Sequence, residues 1–277
     1  IGRYGIKRGI SVARIANALI GRVDSVGRKV IDNIEYTVQV LLMIYLSVRA
    51  AFVDQAQGMR TIFSVISAQI YFTGFQAMPI VTSLALASGG IVIMQSTAQL
   101  NLLGGVDNIG NLLVVIIVRE VGPLLTALIV IARSGTAVAS ELGNMRANRE
   151  IDALEVMGID PLSYIVFPRI FGGVISVICL AFYFVAIALL GGFVVSRLTT
   201  EMSFAFYIDS LAQAFAAEDV LLFLLKNTFS GAIIFAICSF QGLSVKKSPH
   251  EVPQVTTKAV MKSIIYVIGF NLTVTTL

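Results

Sequence analysis

The fold is decided by a stretch of 46 residues without a charged side chain, TIFSVISAQIYFTGFQAMPIVTSLALASGGIVIMQSTAQLNLLGGV at 61–106. A membrane-spanning helix needs about 20 predominantly apolar residues, and 46 residues in one helix would measure about 69 Å. Because that length is roughly twice the thickness of the hydrocarbon core, the stretch must contain a break. We expect bends at Pro79 and at Gly89-Gly90, and we place the first span near 66–95.

The composition of the 277-residue chain favours the same class of protein. Hydrophobic residues make up 57% and charged residues 13% of the chain, whereas an average soluble domain is about 25% charged. The mean hydropathy is +0.88. Further apolar runs predict spans near 108–132, 170–196, 219–243 and 259–277. The sequence therefore predicts an all-α polytopic membrane protein with about five transmembrane helices.

Residues 1–60 differ from the rest, because they hold nine Lys and Arg against four Asp and Glu. Apolar residues spaced among the basic ones over 6–20 predict an amphipathic helix on anionic lipid, with a partner-binding helix as the alternative. Residues 34–53 are apolar but carry Glu35 and Arg49, which favours an interfacial helix over a sixth span. We divide the chain into a basic interfacial region at 1–60 and a membrane region at 61–277.

The placement of the basic residues predicts the orientation in the membrane. Residues 244–262 hold four lysines and one acidic residue, whereas residues 197–219 hold one arginine and four acidic residues. Because cytoplasmic loops carry an excess of Lys and Arg, we expect the N-terminus and residues 133–169 and 244–262 in the cytoplasm. Five spans then place the C-terminus outside.

The segment 133–169, between the second and third spans, is the most informative part of the sequence. Its first half repeats small residues three and four positions apart, which indicates close packing of helices. Its second half surrounds Ile151 and Leu154 with charged residues before Asp160-Pro161 ends the helix. We expect a short amphipathic helix within about 141–160. It either lies on the bilayer as a connection or docks a soluble partner.

This segment resembles the MlaE/YrbE permease family, whose members are membrane subunits of ABC transporters that move lipids with MCE-domain proteins. The resemblance rests on ELGNMRANREIDALEVMGIDPLSYIVFPR at 141–169, on RSGTAVASE at 133–141 and on Arg119-Glu120-Val121-Gly122-Pro123 in the preceding span. It covers about 60–277 in order and is strongest over 117–169. The resemblance identifies residues 61–277 as an MlaE-type permease domain.

The resemblance implies that residues 141–160 form a coupling helix seated in a groove of a cytoplasmic ATPase. We expect five residues to contact that ATPase: Glu141, Met145, Arg146, Glu150 and Glu155. Because the sequence contains no P-loop GxxxxGK[ST], ATP and Mg would bind the partner ATPase, and we expect no cofactor on this chain. A half-transporter of five spans further implies a homodimer in the bacterial inner membrane, working with a periplasmic MCE-domain protein.

Three charged residues interrupt the predicted spans, namely Arg119, Glu120 and Lys226. Each costs roughly 3 kcal/mol at the centre of a membrane helix, so such residues usually face a partner or a wet cavity. Neighbours on a helix point about 100° apart. We therefore expect Glu120 to pair with Lys226 across helices and Arg119 to be free to meet a lipid phosphate. A buried network that only pins the bundle is the alternative. Gly122-Pro123 should loosen or kink the helix nearby.

Four further residues belong to the predicted lipid path. In the first span we select Val92, Met94 and Gln95, because a polar side chain among apolar ones suits a headgroup boundary. Ordinary packing is the alternative for these three. Asn271 falls where some members of the resembled family carry an acidic residue in the last span. The missing charge puts a four-membered charge network in doubt.

Residues suited to covalent or metal chemistry are sparse. The single histidine, His250, lies in a polar loop, and no HExxH, CxxC or GxGxxG motif occurs. The sequence therefore disfavours a membrane-embedded acyltransferase, and nothing in it indicates a nucleic-acid partner. We expect a permease subunit, not an enzyme, that moves phospholipid or a related lipid. An ion-coupled secondary transporter using the three intramembrane charges is the alternative, although no inverted repeat is visible.

Overall fold

The computed structural model describes residues 31–50, 59–103, 109–200, 203–246 and 248–276, which form helices joined by short turns and contain no strand. Five of these helical stretches are long and apolar enough to cross a membrane: Ile62–Gln99, Ile109–Ala147, Leu162–Leu198, Ala217–Leu243 and Pro249–Thr276. The prediction of an all-α polytopic membrane protein with five spans is confirmed. Every observed span is longer than, or offset from, the apolar run that predicted it.

The helices are numbered in chain order. They are α1 (31–50), α2 (Met59–Thr73), α3 (Met78–Leu103), α4 (Ile109–Leu113), α5 (Gly122–Val130), α6 (Thr136–Ala147), α7 (Glu150–Val156), α8 (Phe167–Thr200), α9 (Phe204–Ala214), α10 (Ala217–Leu243) and α11 (Val252–Thr276). The π-helical turns Val114–Val121 and Ile131–Gly135 join α4, α5 and α6 into the second span, and a third, Leu162–Val166, precedes α8.

Contacts divide the chain into two units, Ile1–Tyr45 and Leu46–Leu277. The boundary falls within α1, and the part of α1 in the first unit, residues 31–45, exposes large apolar side chains that include Ile34, Leu41 and Tyr45. This helix is not among the five long apolar ones, and its predicted position in the membrane interface stays a prediction. The amphipathic helix predicted within 6–20 lies outside the described residues.

The first span breaks at one place only. After α2 the chain makes a short 3₁₀ turn at Phe75–Ala77 and then begins α3, in which Pro79 is the second residue. A proline is tolerated there because the first N–H groups of a helix have no intrahelical acceptor. The prediction that the helix breaks at Gly89-Gly90 is wrong, because α3 continues through both glycines.

Gly89 serves a close contact between two helices. A Cβ atom added to Gly89 would lie 2.0 Å from the backbone oxygen of Ala188 in α8. The two backbones therefore touch at a position that only glycine allows. In the same way, Gly173 of α8 lies under the ring of Phe235 in α10, where an added Cβ would come within 2.2 Å.

The second span is longer than predicted, because the small residues after position 132 continue the helix to Ala147. Gly135 packs against Cys238 of α10. Gly143 packs against Val245, just after α10, and against Val252, the first residue of α11. The interpretation of these small residues as helix-packing positions is confirmed. Gly143 also places the C-terminal end of α6 beside the turn that joins α10 to α11.

The predicted amphipathic helix is shorter than 141–160. Glu141, Met145 and Arg146 belong to the end of α6, and α7 covers only Glu150–Val156. The N–H groups of Gly158 and Ile159 bond to the carbonyls of Glu155 (3.0 Å) and Leu154 (2.9 Å), and Gly158 has a φ of 77°. This is a Schellman ending, so α7 stops before the Asp160-Pro161 pair that was expected to end it.

The segment predicted as a loop after the third span contains a helix, α9. Ser203 precedes α9, and its side-chain oxygen accepts a hydrogen bond from the Phe206 N–H (3.3 Å). Tyr207 is buried and donates to the Leu189 carbonyl at 2.9 Å.

We use "the α7 end" for the end of the bundle with α7 and "the α9 end" for the opposite one.

Candidate functional site

Lys226 is the centre of a polar network within the five-span bundle. It lies on α10, and its side chain is 2% exposed. Its ammonium Nζ donates to the Glu120 carboxylate (2.9 Å), to the Arg119 backbone carbonyl (2.7 Å) and to the Thr275 hydroxyl oxygen (2.9 Å). An ammonium has three N–H donors, so all of them have a partner. The predicted pairing of Glu120 with Lys226 is confirmed.

The backbone near Arg119 explains one of these contacts. Gly122 donates its N–H to the Ile117 carbonyl, five residues earlier, which is the pattern of a π-helical turn. Pro123 has no N–H to offer the Arg119 carbonyl four residues before it, and Lys226 donates to that carbonyl from the neighbouring helix. The predicted loosening of the helix at Gly122-Pro123 is confirmed. The carbonyl of Arg119 that it leaves without a backbone donor accepts a hydrogen bond from Lys226 instead.

Arg119 is not free, contrary to the expectation from the sequence. Its Nε donates to the carboxylate of Asp219, which is 1% exposed, whereas Arg119 itself is 38% exposed. The other carboxylate oxygen of Asp219 accepts from the backbone N–H of Ala216 at 2.9 Å, which satisfies a donor at the start of α10. A buried carboxylate held in this way orients the guanidinium at the α9 end of the bundle.

Asp219 is the residue that reasoning from the sequence missed. It was counted with the acidic residues of the loop after the third span, whereas it lies in the first turn of α10. The available signal was its position, because acidic residues are favoured in the first turn of a helix. With Asp219 the network holds two positive and two negative side chains, which balances the charge inside the bundle.

Asn271 lies one turn from the network without joining its charges. Its side-chain amide donates to the Val267 carbonyl (2.8 Å) and to the Ser230 hydroxyl (3.3 Å). Thr275, one turn further along α11, places its hydroxyl oxygen 3.0 Å from Glu120 Oε1. The doubt raised by the missing acidic residue at 271 is answered, because Asp219 supplies the fourth charge from α10.

The network opens into a cavity of about 480 Å³. Its polar wall consists of Arg119, Glu120, Glu218, Lys226 and Thr275. Its apolar wall consists of Val115, Leu221, Leu222 and Val274. Ligand cavities typically combine apolar walls with a few placed polar groups. The chemistry of this one suits an amphipathic molecule whose polar group accepts hydrogen bonds from the Arg119 guanidinium.

The three residues selected in the first span do not reach this cavity. Val92 is half-buried, and Met94 and Gln95 are exposed on the surface of α3. None of them lines the cavity at Arg119. Their place on a lipid path stays a prediction.

The five residues expected to contact an ATPase lie at the α7 end, but three of them have a partner within the chain. Glu141 accepts from Arg169 Nη2 at 2.8 Å, Arg146 pairs with Asp152 at 2.6 Å, and Glu150 accepts from the Asn148 side chain at 3.4 Å. Met145 is half-buried, whereas Glu150 and Glu155 are exposed. Two large apolar side chains beside them are also exposed, Val156 at 89% and Met157 at 65%. Their contact with a partner stays a prediction.

A family model described as Permease MlaE matches residues 66–277. The chain belongs to the MlaE permease family. All five spans and the four charged residues of the network fall within, or overlap, the matched region of this MlaE-family protein.

Three curated relatives extend the comparison of this MlaE-family chain. It is 32% identical to a probable ABC transporter permease protein of Rickettsia prowazekii over 77% of this chain and 83% of the relative. It is 26% identical to the intermembrane phospholipid transport system permease protein MlaE of Haemophilus influenzae, over 93% and 97% respectively. It is also 26% identical to the chloroplastic protein TRIGALACTOSYLDIACYLGLYCEROL 1 of Arabidopsis thaliana, over 71% and 56%.

Proposed function

We propose that this chain is the membrane subunit of an ABC transporter that moves phospholipid, or a related lipid, between the bacterial inner membrane and a periplasmic MCE-domain protein. The observation that carries the proposal is the cavity at Arg119, in a chain of the MlaE permease family. The name of the Haemophilus influenzae relative, a phospholipid transport permease, supports the choice of substrate.

The cavity matches the chemistry of a phospholipid. A guanidinium has five N–H donors and binds phosphate in a fork geometry. Among the described residues, only the Nε of Arg119 has a partner, the Asp219 carboxylate. The two terminal nitrogens are therefore left for a headgroup phosphate, and the apolar wall at Leu221, Leu222 and Val274 suits acyl chains.

The residues beside the cavity have supporting roles in this proposal. Glu120 and Lys226 neutralise each other, and the three Lys226 N–H donors are all used within the chain, so Arg119 is the cation of this wall that has donors left for a phosphate. Asp219 fixes the direction of the guanidinium from a buried position. In this proposal Arg119 recognises the substrate phosphate. Asp219 positions the Arg119 guanidinium, and Glu120 and Lys226 complete the surrounding polar network.

Energy for transport would come from ATP and Mg bound to a separate ATPase. The relatives named as ABC transporter permeases support such a partner. The α7 end offers a docking surface that is partly apolar and partly acidic. Its exposed apolar residues are Val156 and Met157, and its acidic residues, Glu150 and Glu155, precede them in α7. We place that end in the cytoplasm together with the N-terminus, and we expect two copies of the chain in each transporter.

The docking role can be tested by charge reversal at Arg146 and Glu150. The double variant Arg146→Glu, Glu150→Arg should insert normally but hydrolyse ATP without moving lipid. Asp152→Asn is the matched control, because it breaks the Arg146–Asp152 pair without reversing a charge that faces the ATPase. Full coupling in the double variant would contradict the role of this surface.

The transport role can be tested by purification and lipid analysis. The wild-type chain should co-purify with an ATPase and an MCE-domain protein in stoichiometric amounts and should carry phospholipid detectable by mass spectrometry. Arg119→Ala should lose most of that lipid, whereas Arg197→Ala, an exposed arginine near the same end of the bundle, should retain it. A chain that purifies alone and shows ion-dependent uptake in proteoliposomes would instead be a secondary transporter.

A further inference from the structure

A second polar cavity lies between α2, α6 and α8, near the α7 end. Its volume is about 230 Å³. Gln69 and Phe72 of α2, Glu141 of α6 and Arg169 of α8 line it together with small apolar side chains. It shares no residue with the cavity at Arg119. The two cavities lie at opposite ends of the bundle.

Arg169 is the unusual residue in this cavity. It is 8% exposed, and its Nη2 donates to Glu141 at 2.8 Å. Its Nη1 is buried and has no hydrogen-bond partner among the described residues. A buried charged donor without an acceptor is expensive, so such groups nearly always bind protein, water or a ligand. Because Arg169 also lines the cavity, a cationic group with an unused donor borders it.

A second arginine stands behind the wall of this cavity. Arg133 donates to the Phe72 carbonyl (2.6 Å) and to the Gln76 side chain (2.8 Å), and its guanidinium carbon lies 4.7 Å from the centre of the Phe72 ring. Phe72 also lines the cavity. Arg133 and Arg169 together bring two positive charges, whereas Glu141 brings one negative charge and is 61% exposed. The surroundings of the cavity are therefore positive by one charge.

The depth of the cavity points to the source of an anion. Arg169 is seven residues from Leu162, where the third span begins, which corresponds to about 10 Å along a helix. The whole span has 37 residues and measures about 56 Å, so a centred helix would extend about 13 Å beyond the hydrocarbon core of about 30 Å at each end. Arg169 would then lie near the boundary between headgroups and hydrocarbon. A volume of about 230 Å³ accepts a phosphate group but not acyl chains, which would have to remain in the bilayer.

We propose that the cavity between α2, α6 and α8 binds the phosphate group of an anionic phospholipid from the leaflet at the α7 end, with the Arg169 guanidinium as its donor. Glu141 competes with that phosphate for the same guanidinium. The site is distinct from the proposed transport cavity, and its binding can be measured without the ATPase partner.

The competition between Glu141 and the ligand gives a test with opposite expected signs. Native mass spectrometry would measure binding of dihexanoyl phosphatidylglycerol to the purified chain, in an Arg119→Ala background so that the other cavity does not contribute. Arg169→Gln should weaken binding at least tenfold. Glu141→Gln should strengthen it several-fold, because the carboxylate no longer holds Nη2. Arg197→Gln, on the same helix, should leave binding unchanged.

Two further probes identify the ligand. Inorganic phosphate should bind at least tenfold more weakly than the lipid, and dihexanoyl glycerol, which lacks the phosphate, should not distinguish wild type from Arg169→Gln. Equal binding of free phosphate and lipid would overturn the assignment to a lipid. Unchanged lipid binding in both Arg169→Gln and Glu141→Gln would reduce the pair to a structural contact. Should Arg169→Gln not fold, Arg169→Lys keeps the charge opposite Glu141 and should still bind the lipid more weakly.

Discussion

The ammonium of Lys226 lies 2.7 Å from the backbone carbonyl oxygen of Arg119. Pro123, four residues after Arg119, has no N–H with which to bond that carbonyl. The backbone hydrogen bond that Pro123 cannot make in the second span is thus replaced by one from Lys226 of the fourth span. The same ammonium holds Glu120 and Thr275, so one buried side chain ties together the second, fourth and fifth spans.

Replacing Lys226 should cost much of the stability of the bundle. Lys226→Met leaves Glu120 and the Arg119 carbonyl without their donor. Breaking one partner of a fully buried pair typically costs about 3–5 kcal/mol, and since the Glu120 side chain is 37% exposed, we expect a cost at or below the lower end of that range. A large fall in the thermal unfolding temperature in detergent is the expected result. Lys258→Met, at an exposed position on α11, is the control and should change it little. The double variant Glu120→Gln, Lys226→Met should be more stable than Lys226→Met alone.

Two substitutions at Asp219 separate its two roles. Asp219→Asn keeps an oxygen that can accept from the Ala216 N–H but removes the charge opposite Arg119. Asp219→Ala removes both, and loss of a helix cap costs about 1 kcal/mol further. Chemical or thermal unfolding should therefore rank wild type above Asn and Asn above Ala. Equal stability of the two variants would show that the hydrogen bond to Ala216 contributes nothing.

Gly89 should tolerate no larger residue. Its added Cβ would lie 2.0 Å from the Ala188 oxygen, so Gly89→Ala forces α3 and α8 apart, at a cost of about 1–3 kcal/mol or more. Gly269→Ala on α11 is the matched control, because an added Cβ there meets nothing within 4 Å. That control should be neutral or slightly stabilising. Similar melting temperatures for both variants would contradict the contact.

The Tyr207 phenol should make stability depend on pH in alkaline solution. Burial raises the pKa of Tyr207 from 10.0 to about 12. Between those values the unfolded chain releases the phenol proton and the folded chain keeps it, so stability is full below about pH 10 and falls as the pH rises. Two pKa units correspond to a loss of at most about 3 kcal/mol of stability above that range. Absorbance titration of wild type minus Tyr207→Phe should show one phenol ionising near pH 12, and a value near 10 would contradict this.

The spans were predictable because their signal is compositional. A membrane helix must satisfy its backbone internally and present apolar side chains to lipid, so long uncharged runs locate it. Their ends were less predictable, because packing decides them. The row of small residues at Gly135, Ala139 and Gly143 extends the second span only because α10 and α11 lie close enough to cover it. Likewise, Gly89-Gly90 reads as a bend until Ala188 is known to lie against it.

The site was predictable in part for the same reason. Arg119, Glu120 and Lys226 are conspicuous where charges are costly, and the pairing of Glu120 with Lys226 follows from their signs. The pairing of Arg119 with Asp219 did not follow, since Asp219 lies 100 residues away in sequence at a helix end where acidic residues are ordinary. Arg169 gave no signal either, because its burial and its unpartnered nitrogen depend on how α2, α6 and α8 meet.

The glycine contacts at Gly89 and Gly173 have a mechanical consequence. Backbones that touch, and a ring seated on a backbone, cannot slide past each other without first separating, so α3, α8 and α10 form one stiff block. A turn and the π-helical segment Leu162–Val166 join α7 to α8, so in the proposed transporter a displacement of α7 would be passed to α8 and would move that whole block. Relative motion during transport would then occur at the outer surface of this block and not between α3, α8 and α10.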